Sequence, residues 1–155
     1  MSQRRENRIA AVQFMYMWDI NPSSSLGDAL SSFWSIQKKP PLYYSFSESL
    51  INGIVDQQEK LDAIIKGYAL NWDFKRIAKI DLAILRLAVY EMHFRPDIPP
   101  IVSINEAIDL SKEFSIDESK RFINGILDRC KLDIKRPLRD SVPSSKSASQ
   151  SPALN

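Results

Sequence analysis

The thirteen residues 82–94 constrain this chain most. They read Leu-Ala-Ile-Leu-Arg-Leu-Ala-Val-Tyr-Glu-Met-His-Phe, apolar at nearly every helical position. A surface helix needs only one apolar stripe, so a helix that is apolar nearly all round has to be enclosed by other elements. No apolar run in the chain reaches the roughly 18 to 20 residues that span a bilayer. Residues 82–94 therefore predict the central buried helix of a helical domain.

The remaining segments supply the helices that would enclose it. Ile9, Val12, Met15 and Tyr16 recur near the helical period over residues 8–20, and Asn21-Pro22 with three serines ends that run. Leu26, Leu30, Phe33 and Trp34 predict a short helix over 26–36, broken by Pro40-Pro41. From 44 to 68, Leu50, Ile54, Leu61, Ile64, Ile65 and Tyr68 keep periods of three and four, and Gly53 inside them marks a kink or a close helix crossing. Asn71 is the expected N-cap of a short helix over 72–78, and Asp81 that of the apolar helix. Ser103-Ile104-Asn105-Glu106 has the Ser-x-x-Glu spacing of a capping box, and Ser115-Ile116-Asp117-Glu118 repeats it. The last helix turns Phe122, Ile123, Ile126 and Leu127 inward. No alternating apolar and polar run reads as a strand. The expected fold class is all-α, about six or seven helices over residues 1–134. Residues 135–155, Ser/Pro-rich and apolar-poor from Pro137 onward, are expected to be a disordered tail.

Charge narrows the function. The chain has 21 basic and 19 acidic residues, net +2. Lys135, Arg136, Arg139 and Lys146 against Asp140 give the tail +3, leaving 17 basic and 18 acidic residues in the first 134, net −1. A near-neutral body lacks the broad basic field of a non-specific nucleic-acid binder, so any such site must be a local patch. Two patches qualify: Arg4, Arg5 and Arg8, and the group Lys120, Arg121, Arg129 and Lys131. The tail is either inert or an extra contact whose charge favours a polyanion. The N-terminus runs straight into an amphipathic segment without a signal-peptide pattern, and the expected location is the cytoplasm.

Catalytic signatures are missing. There is no Gly-rich phosphate loop, His-Glu-x-x-His or Cys-x-x-Cys, and one Cys and one His rule out a disulfide framework or zinc finger. Cys130 reads as a half-buried structural thiol. His93 reads as a helix-end residue favoured by the negative helix terminus. Asp81, Glu91, Glu106 and Asp109 could form an acid pair, but capping and solvent-facing roles explain most of them. No cofactor, metal site or enzymatic activity is expected. Arg4, Arg5 and Arg8 read either as a solvated end or as a phosphate site, because guanidinium is a fixed, permanently charged fork. Phe122 beside Lys120-Arg121 is either core or, if exposed, a surface on which an unpaired base stacks.

Arg4-Arg5-Glu-Asn-Arg8-Ile-Ala-Ala-Val-Gln13-Phe-Met-Tyr16, then Asn71-Trp72, then Ile80-Asp81-Leu-Ala-Ile-Leu85-Arg86-Leu-Ala-Val-Tyr90-Glu91 carry a resemblance to the NusB family of bacterial transcription antitermination proteins. It continues through Ile98-Pro99-Pro100-Ile-Val-Ser-Ile104-Asn105-Glu106-Ala107-Ile108 and Phe122-Ile-Asn124-Gly125-Ile-Leu127-Asp128, covering about residues 3 to 132 in four ordered blocks. The resemblance implies a compact helical bundle that binds boxA, a single-stranded RNA element of ribosomal RNA transcripts. It does so together with NusE, a small-subunit ribosomal protein, within the transcription elongation complex. By position, Arg4, Arg5 and Arg8 match the family's RNA-binding start. Glu118 and Phe122 match the RNA-facing edge of the last helix, with Lys120 and Arg121 as nearby phosphate candidates. Asp81 matches a position associated with the NusE surface. Glu6 and Asn7 interrupt the arginines, and the tail aligns with nothing in the family.

Two other readings stand beside this one. A helical protein-interaction module, such as a homodimerisation unit, would keep the fold without the RNA site. The same domain type fused to ribosomal RNA cytosine methyltransferases is not expected, because no Rossmann-type pattern follows in the residues given.

Overall fold

In a computed structural model of the chain, residues 1–23 and 25–141 are described. They form seven α-helices: α1 (Gln3–Ile20), α2 (Leu26–Ser35), α3 (Ser45–Asp56), α4 (Gln58–Tyr68), α5 (Lys79–Phe94), α6 (Pro100–Phe114) and α7 (Asp117–Asp133). Two 3-10 turns, Pro41–Tyr44 and Phe74–Arg76, complete the described elements.

The apolar helix is central, as its composition requires. α5 packs against α1, α3, α4, α6 and α7, and every residue from Asp81 to Met92 is buried. Ile84, Leu85 and Val89 are fully enclosed. Removing the Leu85 side chain beyond Cβ would cost about 2–5 kcal/mol, the usual range for such a truncation in a core. Gly53 marks a close helix crossing. A Cβ built on it would lie 1.9 Å from Tyr90 Oη, so the Tyr90 ring occupies the space a side chain on α3 would need.

The buried charged residues of α5, Asp81, Arg86 and Glu91, all have partners. Arg86, 5% exposed in its side chain, donates to both carboxylate oxygens of Asp62 at 2.7 and 2.9 Å and lies 3.5 Å from Asp19. This ties α5 to α4 and α1.

Helix starts differ from the sequence expectations. α1 begins at Gln3, five residues early, because Ser2 caps it by accepting the Arg5 backbone N–H at 3.1 Å. The predicted helix over 44–68 is two helices broken at Gln57, whose backbone leaves the helical region. Residues 72–78 form only a 3-10 turn, capped by Asp73 rather than Asn71. Neither predicted capping box forms. α6 starts at Pro100, whose ring suits the first helical turn where its missing N–H costs nothing, so Ser103 lies inside the helix. α7 starts at Asp117 with no side-chain cap. Asp81 also lies inside its helix rather than at the cap.

Of the expected tail, residues 135–141 are described, and part of that stretch is bonded to the body. Arg136 donates to the carbonyls of Met92 and Arg95, both at 3.2 Å, and of Pro96 at 3.4 Å. The Leu138 carbonyl accepts the Ile101 N–H at 2.8 Å. One segment thus bonds to backbone groups at the end of α5, in the turn after it and at the start of α6. The rest of the expected tail, 142–155, lies outside the described residues. No helix among the described residues is long and apolar enough to cross a membrane.

Candidate nucleic-acid interface

Because α1 starts early, Arg4, Arg5 and Arg8 are all helical, and their spacing separates their fates. Arg4 and Arg8, four apart, share a face. Their guanidinium carbons lie 4.1 and 5.3 Å from the Phe46 ring centroid. Arg5 turns toward α6 and donates to Glu106 at 2.6 and 3.2 Å and to Asp109 at 2.8 Å. These hydrogen bonds to Glu106, with its charge, raise the Arg5 pKa. In return the Arg5 hydrogen bonds hold the Glu106 carboxyl below its ordinary range against the opposing effect of burial.

Arg8 departs from the expected phosphate role. Its side chain is 4% exposed and donates to both oxygens of Glu91 at 2.8 and 2.9 Å, and Glu91 is itself 1% exposed. The Ser103 hydroxyl donates to the same carboxylate at 2.7 Å. Arg8 is a buried cation whose Nε and Nη2 are bonded to Glu91 and whose Nη1 lies 3.6 Å from Glu106. The same bonds remove Glu91 and Glu106 as a catalytic acid pair. Arg4 is exposed and makes no ion pair among the described residues. These arginines line a groove of about 470 Å³ floored by Ile98, Pro99, Val102 and Glu106.

A second groove lies along α7. It is an open cleft of about 430 Å³ lined by Trp72, Glu118, Arg121, Phe122, Gly125, Ile126 and Arg129. Trp72 is 59% exposed and sits 4.7 Å, centroid to centroid, from the half-buried Phe122 ring. Phe122 packs one side on the core and meets Trp72 at the groove with the other. Arg121 is exposed, and Arg129 donates to the Tyr68 carbonyl. Lys120 is not a lining residue; its ammonium pairs with Asp117 at 3.0 Å. Glu118 is exposed at the rim. Trp72 is the residue that sequence reasoning used only as part of a motif. The available signal was a large aromatic in a break between helices, outside any apolar stripe that would bury it.

Thus Arg4-Arg5 and Phe122 do not share one pocket. They line separate grooves, one between α1 and the first turns of α6, the other along α7 beside Trp72. Together they offer cations in one groove and stacking faces with cations in the other, the two kinds of contact an unpaired nucleic-acid strand uses.

Asp81 also departs from its expected role at a partner surface. It is 3% exposed, and its carboxylate accepts the Ser115 hydroxyl at 2.5 Å, joining the start of α5 to the α6–α7 turn from inside. His93 is not favoured in its charged form: partial burial, and then the Arg136 cation, lower its pKa. Cys130 is fully buried, and burial pushes its thiol up to about 12, leaving it inert.

Comparisons with known proteins agree with this architecture. A sequence model of the NusB family matches residues 5–131. The transcription antitermination protein NusB of Methylacidiphilum infernorum is 37% identical over 143 residues, covering 92% of this chain and all of that protein. A crystal form of T. maritima NusB superposes with a TM-score of 0.73 at 27% identity, covering 96% of this chain and 98% of the other. The fold is also that of the NusB–NusE complex with double-stranded RNA, with a TM-score of 0.71 at 24% identity, covering 83% of this chain and 96% of that one. With its family model matched from residue 5 to residue 131 and a 37% identical relative covered end to end, this chain belongs to the NusB family.

Proposed function

We propose that this chain is a cytoplasmic, non-catalytic transcription antitermination factor. It binds boxA-type single-stranded RNA in ribosomal RNA transcripts together with the ribosomal protein NusE. The observation that carries the reading is the exposed Trp72–Phe122 pair in a groove flanked by Arg121 and Arg129. A large aromatic left open beside cations costs apolar exposure, and that exposure is recovered when an unpaired base stacks on it. The family membership supports it independently.

In this mechanism Trp72 and Phe122 grip unpaired bases, Glu118 accepts a hydrogen bond from a base amino group, and Arg121 and Arg129 meet adjacent phosphates. Arg4 supplies a phosphate contact at the groove between α1 and α6, and Arg5 does so when a phosphate competes with Glu106 and Asp109. Lys120 joins them by leaving Asp117, since an exposed i,i+3 pair is worth little. The body's net charge of −1 keeps affinity for RNA low without NusE, which extends the surface and raises it through linkage.

The test is fluorescence anisotropy of a labelled boxA-like RNA, with and without NusE, at two salt concentrations, against a scrambled strand and a duplex. Selective binding to the single strand that tightens with NusE and weakens with salt is expected. Trp72→Ala should cost about 1–3 kcal/mol, or roughly 5- to 150-fold in Kd. Equal binding of boxA and scrambled strands with NusE present would overturn the reading.

A further inference from the structure

The N-terminal patch is weaker than its sequence suggests. Arg8 is buried against Glu91 and Arg5 is held by two carboxylates, so Arg4 is the member without an ion pair among the described residues. A phosphate-binding face with one available cation would contribute little. The structure brings further cations to the same end of the molecule from a different part of the chain.

Residues 135–139 are pinned across the junction of α5 and α6. Arg136 is the anchor, with three backbone carbonyls as its acceptors. Two of those carbonyls, Met92 and Arg95, lie at the C-terminal end of α5, and the third, Pro96, lies in the turn after it. The second pin is the hydrogen bond from Ile101 N–H to the Leu138 carbonyl. Ile101 is the immediate neighbour of Val102, and Val102, with Pro99, floors the Arg4–Arg5 groove. On the other side, Arg95, whose carbonyl Arg136 binds, holds its own guanidinium 5.5 Å from the Phe46 ring that Arg4 covers. The pinned segment therefore runs beside the groove, and it presents Lys135 and Arg139, both exposed and without ion pairs among the described residues. Of the acids nearby, Asp97 is engaged by Arg95 at 2.8 Å, and Asp140 is the remaining one on the segment.

We propose that Lys135 and Arg139 form, with Arg4, a single phosphate-binding face that carries the RNA backbone past the N-terminal groove. This rests on the RNA-binding reading above. It assigns that site two contacts lying beyond the residues that match the family model, which ends at 131. The pins matter because cations on a freely moving tail would lose conformational entropy on binding, whereas these are already held.

The salt dependence of RNA binding, measured with NusE present, tests this. Each phosphate contact to a single strand contributes about 0.7 to the slope of log affinity against log salt. The double variant Lys135→Gln/Arg139→Gln should lower that slope by about 1.4. Lys60→Glu makes the same change in net charge at a groove beside Trp18, about 21 Å along α1 from Arg4, and should leave the slope unchanged. Arg136→Gln, which removes the anchor but adds no acid, should also weaken binding, with circular dichroism reporting whether the helices persist. An unchanged slope in Lys135→Gln/Arg139→Gln, or an equal fall in Lys60→Glu, overturns the proposal while leaving the RNA-binding reading intact. Wild-type protein with no salt-sensitive RNA binding overturns both.

Discussion

Breaking the Arg8–Glu91 pair separates a structural arginine from an RNA-binding one. Glu91→Leu removes a carboxylate that holds a 4% exposed guanidinium through bonds of 2.8 and 2.9 Å. Leaving one member of a buried pair uncompensated costs about 3–5 kcal/mol. Glu106, 3.6 Å from Arg8, remains as a partial partner, so a loss near 3 kcal/mol is expected. For a chain of this length that lowers Tm by about 6–12 °C. Arg8→Met should cost a similar amount, since Glu91 then keeps only the Ser103 hydroxyl. The double variant Arg8→Met/Glu91→Leu should recover most of the loss, because apolar groups of similar volume replace both charges. Thermal or urea unfolding of the four proteins gives the stabilities, and RNA anisotropy on the double variant gives the function. If Arg8 is structural, the double variant keeps the wild-type salt slope. A slope lower by about 0.7, the value of one phosphate contact to a single strand, would refute the assignment, as would a double variant no more stable than either single one.

Three further outcomes follow from the same geometry. Gly53→Ala forces a Cβ against the Tyr90 ring, 1.9 Å from Oη, and should lose about 1–3 kcal/mol in denaturant unfolding. The Glu106 carboxyl is held below its ordinary value of 4.5, so the stability it contributes is present above that pH and is lost as acid takes pH down through its folded-state pKa; Glu106→Gln should flatten the fall in Tm below pH 4.5, and an unchanged acid limb would contradict this. Cys130, buried with its thiol pushed up to about 12, should resist iodoacetamide in the native protein at pH 8 and react on unfolding, as mass spectrometry would show.

The helices were legible because helical periodicity and apolar content are local. Residues 82–94 announced their own burial, and Gly53 marked a kink or a close crossing, of which the structure has the crossing. The cap assignments failed for physical reasons: Pro100 and Lys79 start their helices before Ser103 and Asp81, and α7 starts only at Asp117 with Ile116 at its cap position, which leaves Ser115 as the C-cap of α6. Their hydroxyl and carboxyl groups were then free to serve tertiary partners, Ser103 with Glu91 and Ser115 with Asp81.

The candidate site was legible as residue types and not as a surface. Arg4, Arg5 and Arg8 are equivalent in sequence, yet helical phase leaves one exposed, pairs one with α6 and buries one against α5. Phe122 could be recognised; its partner Trp72, fifty residues earlier, could not be paired with it from spacing. By itself the sequence determined an all-α domain built around one enclosed helix, because those properties depend on neighbours within a few residues. Only the tertiary structure decided which charges remain available to a ligand, because Arg8 and Glu91 lie 83 residues apart and meet only when the helices pack.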